Sequence, residues 1–133
     1  MNTRILIVDN DTQHAEFLMC YFSEREFTVC SAERTEEAIA LLDTIKVDIA
    51  IVEYCRNDVA AERLCESVRQ HGRDTELILM CGRQSSDTEK SARRFAPAFY
   101  FVKPFNVDDL YAVVLRIVEK QSCSRKANEH ARA

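Results

Sequence analysis

Four short, unbroken apolar runs punctuate the chain: Ile5-Leu6-Ile7-Val8, Ile49-Ala50-Ile51-Val52, Leu77-Ile78-Leu79-Met80 and Tyr100-Phe101-Val102. Each is too short for a buried helix and rich in strand formers, which suits strands covered on both faces, as in a parallel sheet. A fifth segment, Phe27 to Ala32, alternates and reads as an edge strand. Between the runs the period lengthens. Ala38, Leu41, Leu42 and Ile45 fall at i, i+3, i+4 and i+7, as do Ala61, Leu64, Cys65 and Val68. Leu110, Val113, Val114, Ile117 and Val118 repeat the pattern more strongly, and Phe17, Leu18, Tyr21 and Phe22 mark a first helix. Ala92, Phe95 and Ala96 mark a weaker fourth helix that Pro97 should end, because the residue before a proline avoids the helical region. Five strand–helix pairs in strict alternation predict an α/β fold, a parallel sheet with helices on both faces.

The apolar period fades near residue 120. Residues 121–133 carry Arg125, Lys126 and Arg132 against Glu129 alone. One domain is therefore expected over 1–120, followed by a flexible basic tail or linker remnant over 121–133. A length of 133 residues with 47% apolar and 30% charged positions suffices for one packed core.

Charge and cysteine usage narrow the function classes. A net charge of -4 argues against a nucleic-acid binder. No apolar run approaches the roughly 18 residues of a membrane span, and the start from Met1 leads into a segment too short for a signal peptide. The six cysteines form no Cys-x-x-Cys pair and His14, His71 and His130 show no ligand spacing, so zinc is not expected and reduced thiols in a cytoplasm are. Two glycines leave no room for a phosphate-binding loop or a dinucleotide fingerprint.

In an open parallel sheet, ligands bind beyond the carboxyl ends of the strands. The residues at those ends are Asp9-Asn10-Asp11, Glu53, Cys81-Gly82 and Lys103-Pro104. Asp11 before Thr12 suits a helix cap. Capping does not explain the set, in which acids after strands one and three converge with a lysine after strand five.

With the segments Ile5 to Asp11, Val47 to Tyr54 and Tyr100 to Phe105, the chain resembles the receiver domain of a bacterial two-component response regulator over residues 3 to about 120. The resemblance implies a flavodoxin-like (βα)5 sandwich with strand order 2-1-3-4-5. It also implies phosphotransfer from a histidine kinase to an aspartate at the end of strand three. Magnesium is then held by an acid pair after strand one, by the acceptor and by a carbonyl two residues on. A serine or threonine after strand four and a lysine after strand five hold the phosphoryl oxygens, and an aromatic residue in strand five switches with the state.

Several of these positions depart from the family pattern. Glu53 stands at the acceptor position, Asn10 replaces the second acid, and Cys81 replaces the hydroxyl residue; Asn57 and Ala61 replace a proline and a glycine. Tyr100 and Lys103 are retained. The metal set Asp9, Asn10 and Glu53 has lost one charge, so magnesium binding is expected to be weak or absent. The longer arm of Glu53 is expected to reach Lys103 as a permanent ion pair. The chain is expected to be a signalling module and not an enzyme, acting through a histidine kinase or a downstream target, with little or no phosphorylation. The alternatives are a working phosphoacceptor and a redox-responsive pair, Cys55 and Cys81. The family's fourth helix, fifth strand and fifth helix commonly form a dimer face. Here Phe99, Phe101, Arg93, Arg94, Asp108, Asp109 and Tyr111 suggest a homodimer through it.

Overall fold

The fold was obtained as a computed structural model that describes residues 3–55, 58–71, 74–82 and 86–132. Strands β1 (Arg4–Val8), β2 (Thr28–Ala32), β3 (Ile49–Glu53), β4 (Glu76–Cys81) and β5 (Phe99–Val102) alternate with helices α1 (Thr12–Ser23), α2 (Thr35–Thr44), α3 (Val59–His71), α4 (Ser86–Arg93) and α5 (Val107–Arg132). All strand pairs are parallel and the sheet order is β2-β1-β3-β4-β5, as the resemblance implied.

The two-residue period of the strands splits the core into two layers. Leu6, Val8, Ala50, Val52, Leu77 and Leu79 pack against α2, α3 and α4. Their neighbours Ile5, Ile7, Ile49, Ile51, Ile78 and Met80 pack against α1 and α5. Continuous apolar runs arise because both faces are covered. Every helix returns the chain to the bottom of the sheet, so the loops at the carboxyl edge gather on one rim.

Three details differ from the expectations above. Helix α4 ends at Arg93, four residues before Pro97: Phe95 and Ala96 lie in tight turns bonded to Ala92 and Arg93, and Ala96 adopts a φ of 50°. A left-handed residue stops a helix by itself. Phe101 is buried and packs on Phe105 at 4.9 Å, so only Phe99, 47% exposed, is the exposed phenylalanine of β5. Helix α5 passes residue 120 and runs to Arg132; the Gln121 amide donates to the Asp48 and Asp74 carbonyls at 3.1 Å, fixing the helix to the bottom of the sheet.

Candidate functional site

Asp9 follows β1 directly and is 2% exposed. The chain turns there because Asp11 caps α1, its carboxylate accepting from the His14 amide at 3.2 Å. Asp11 thus faces the helix and remains exposed, while Asn10 is exposed between the two acids. Glu53 ends β3, Cys81 ends β4 and is buried, and Lys103 follows β5, its amide donating to the Cys81 carbonyl at 2.7 Å. Asn57 lies outside the described residues.

Asp9 is the hub of the rim. Its Oδ1 accepts from the Asp11 amide at 2.9 Å and from Lys103 Nζ at 3.0 Å. Its Oδ2 accepts from Lys103 Nζ at 2.9 Å and meets His14 Nδ1 at 2.6 Å. Glu53 Oε2 accepts from the Asn10 amide at 3.0 Å, and Glu53 Oε1 lies 3.8 Å from Lys103 Nζ. Lys103 therefore reaches both acids but binds Asp9, whose carboxylate is fully buried, more closely. The anticipated Glu53–Lys103 pair is the longer of the two contacts.

These contacts divide the charge unevenly. Burial would raise Asp9, but hydrogen bonds from His14, Lys103 and Glu53 outweigh it and hold the carboxyl below its ordinary value. Burial first, and then the contact with Asp9, push Glu53 up, while the Asn10 amide and Lys103 pull only partly back. Asp9 is the carboxylate that keeps its charge and Glu53 the one nearer to protonation.

On the other side of the sheet the Tyr100 hydroxyl is buried and has no nitrogen or oxygen hydrogen-bond partner among the described residues. Burial and the neighbouring Cys81 thiol raise its pKa. Cys55, in the loop after β3, is exposed, yet desolvation and the nearby Cys81 and Glu53 raise its thiol as well. Tyr54, fully buried beside Glu53, bonds its hydroxyl to Ser91 on α4.

His14 escaped the sequence reading, which searched histidines for metal-ligand spacing. The available signal was its place three residues after a helix cap, where a side chain points back over the helix start. Among the described residues no group of three or more His, Cys, Asp or Glu is arranged to hold a metal ion.

A five-stranded doubly wound sandwich with Asp9, Glu53 and Lys103 at the carboxyl edge defines a receiver-type signalling fold. The family model for the response regulator receiver domain matches residues 5–115, and the chain belongs to that family, the receivers of two-component signalling. A CheY-like receiver domain protein from Methanospirillum hungatei JF-1 superposes with a TM-score of 0.85 at 21% identity, over 93% of this chain and 99% of that one. A two-component response regulator from Clostridium difficile gives 0.81 at 26% identity, over 89% and 97%. The receiver domain of an HD domain-containing protein from Pseudomonas fluorescens Pf-5 gives 0.84 at 22%, over 92% and 99%. No curated protein matches the chain. Receiver domains interact with histidine kinases or effector domains, and among the described residues no helix is long and apolar enough to cross a membrane.

Proposed function

We propose that this receiver works through protein contacts, with phosphoryl control weakened or lost, and that it is neither an enzyme nor dependent on a metal. It acts in the cytoplasm, where its cysteines stay reduced. The observation that carries the reading is the acceptor position. Glu53 extends one methylene beyond an aspartate, is tied to the Asn10 amide, and is pushed toward its protonated form. In-line transfer needs reacting atoms about 3–3.5 Å apart, and an error of about 1 Å costs about 100-fold.

The hydroxyl expected to steady a phosphoryl oxygen is replaced by Cys81, a weak donor. The set Asp9, Asn10 and Glu53 offers magnesium one carboxylate already saturated with hydrogen bonds and one already bonded to an amide. Incubation with acetyl phosphate and magnesium followed by intact-mass analysis tests the reading. No stoichiometric adduct of about 80 Da is expected. An adduct on Glu53 overturns it in favour of a working phosphoacceptor. Glu53→Asp alone is expected not to restore full phosphorylation, since Asn10 and Cys81 remain. Redox sensing by Cys55 and Cys81 fits less well, because a reactive thiol needs a lowered pKa and that of Cys55 is raised.

The partner face is α4, β5 and α5, where a second copy of the chain docks. Its support is Phe99 on the edge strand, beside a cleft of about 360 Å³ lined by Glu89, Arg93, Pro97 and Tyr100. An exposed edge strand needs cover. Arg94, which the sequence offered to a partner, pairs with Glu62 on α3 at 2.9 Å, so Phe99 carries the test. Phe99→Asp is expected to convert a dimer to a monomer in sedimentation at micromolar concentration without phosphodonor; a wild-type monomer removes this interface.

A further inference from the structure

We propose that His14 fills, from within the chain, the place at Asp9 that a divalent cation would need, and that it closes the site to metal. The inference rests on the reading of a receiver without phosphoryl control and adds the residue responsible. An ionised carboxylate offers about four lone-pair positions. At Asp9 four hydrogen bonds occupy them: the Asp11 amide and Lys103 on Oδ1, and His14 Nδ1 and Lys103 on Oδ2. Because the carboxylate accepts, Nδ1 carries the hydrogen.

Two elements fix the imidazole in place. Its own amide is held by the Asp11 cap at 3.2 Å, and its ring meets the edge of Phe105 at 5.7 Å, with the planes 84° apart. Helix α1 and the loop after β5 therefore grip one ring, which keeps a place on Oδ2 that would otherwise face the rim. Lys103 supplies the second donor. Lys103 bonds both carboxylate oxygens, and His14 takes the remaining place on Oδ2. Magnesium requires near-octahedral oxygen ligands and releases its waters reluctantly. To reach Asp9 it must first displace the ring, and nearby Glu53 is already bonded to Asn10.

The experiment uses manganese alone as the probe, with binding read from water-proton relaxation, and thermal melting with and without magnesium as a second readout. Wild type is expected to show no saturable binding up to about 1 mM. His14→Ala is expected to gain saturable binding, with affinity raised about ten-fold or more, and a melting temperature that climbs with magnesium. His14→Met keeps bulk against Phe105 but offers Asp9 no donor; it is expected to gain the same and serves if the alanine variant does not fold. Adding Asp9→Asn to His14→Met is expected to abolish the gain. Saturable submillimolar binding by the wild type, or a folded His14→Met without gain, overturns the inference. The underlying reading fails separately, through a phosphate adduct on the wild-type chain, whatever manganese does.

Discussion

Removing the hydroxyl of Tyr100 is expected to stabilise the protein, the reverse of what the same change does elsewhere in this fold. The phenol of Tyr100 packs against the α2–α3–α4 layer, and its oxygen is buried with no nitrogen or oxygen partner among the described residues. A buried hydroxyl left unsatisfied costs about 1–3 kcal/mol. The Cys81 thiol beside it is a weak partner and offsets only part of this. Tyr100→Phe is therefore expected to raise the unfolding free energy by about 1 kcal/mol, or the melting temperature by about 3–5 °C in a domain of this size. Two other tyrosines provide the control. The Tyr54 hydroxyl is fully buried and bonded to Ser91, so Tyr54→Phe loses that bond and strands a serine, at about 1 kcal/mol or more. Tyr21 donates to Asp108 at 2.8 Å on the surface, so Tyr21→Phe should cost about 0.5 kcal/mol. Equilibrium urea unfolding with an unchanged m-value reads all three. A Tyr100→Phe variant less stable than wild type by as much as Tyr54→Phe would refute the reasoning, since it would mean that the Tyr100 hydroxyl is bonded in solution.

Ala96 holds a φ of 50°, a region that costs an L-residue about 1–2 kcal/mol, so Ala96→Gly should stabilise by about 1 kcal/mol in the same urea assay. The raised Glu53 contributes stability below its ordinary value of 4.5 and loses it as pH rises through the shifted value; the lowered Asp9 contributes above its ordinary 3.8 and loses it as pH falls through its own shifted value. Glu53→Gln should therefore stabilise at neutral pH, with the gain vanishing in acid below the Glu53 range; melts across pH check the sign, and a loss at neutral pH contradicts it. Thiol titration of the native chain should label exposed Cys20 and Cys123 quickly, label exposed Cys55 more slowly because its thiol is raised, and leave Cys65 unreacted until denaturation, since burial pushes its thiol up to about 12.

The sheet is legible in the sequence because both of its faces are covered: an unbroken run such as Ile49-Ala50-Ile51-Val52 has no other stable use at that length. The long helices are legible because Leu110, Val114 and Ile117 must share a stripe. The end of α4 is not, since the stop comes from the backbone of Ala96, and alanine is a good helix former whose identity says nothing of a positive φ. Nor does β5 announce which phenylalanine is covered. Phe99 and Phe101 share a face by parity, and only the loop carrying Phe105 folds over the second. At the rim, Asp9, Glu53 and Lys103 are readable because each ends or directly follows its strand. Which acid Lys103 prefers depends on how deeply the Asp9 carboxylate is buried, and His14 depends on the cap formed by Asp11. Sequence spacing does not show the first, and shows the second only once Asp11 is taken as the cap.

That preference bears on what Glu53 does. A glutamate standing in for a phosphoaspartate has to keep its charge and draw Lys103 to itself. Here Lys103 Nζ lies 2.9 Å from Asp9 Oδ2 and 3.8 Å from Glu53 Oε1, and the Asp9 carboxylate is fully buried while that of Glu53 is 21% exposed. Attraction between charges grows as the distance and the local dielectric fall, so both factors favour Asp9. With its cation committed, Glu53 gains little from staying ionised beside a second acid, and its pKa rises. A permanent phosphate-like charge at this position is thus opposed by the two side-chain donors on Asp9, Lys103 and His14. On the reading proposed above, the longer side chain takes the acceptor position with a raised pKa and a weaker hold on Lys103 than Asp9 has.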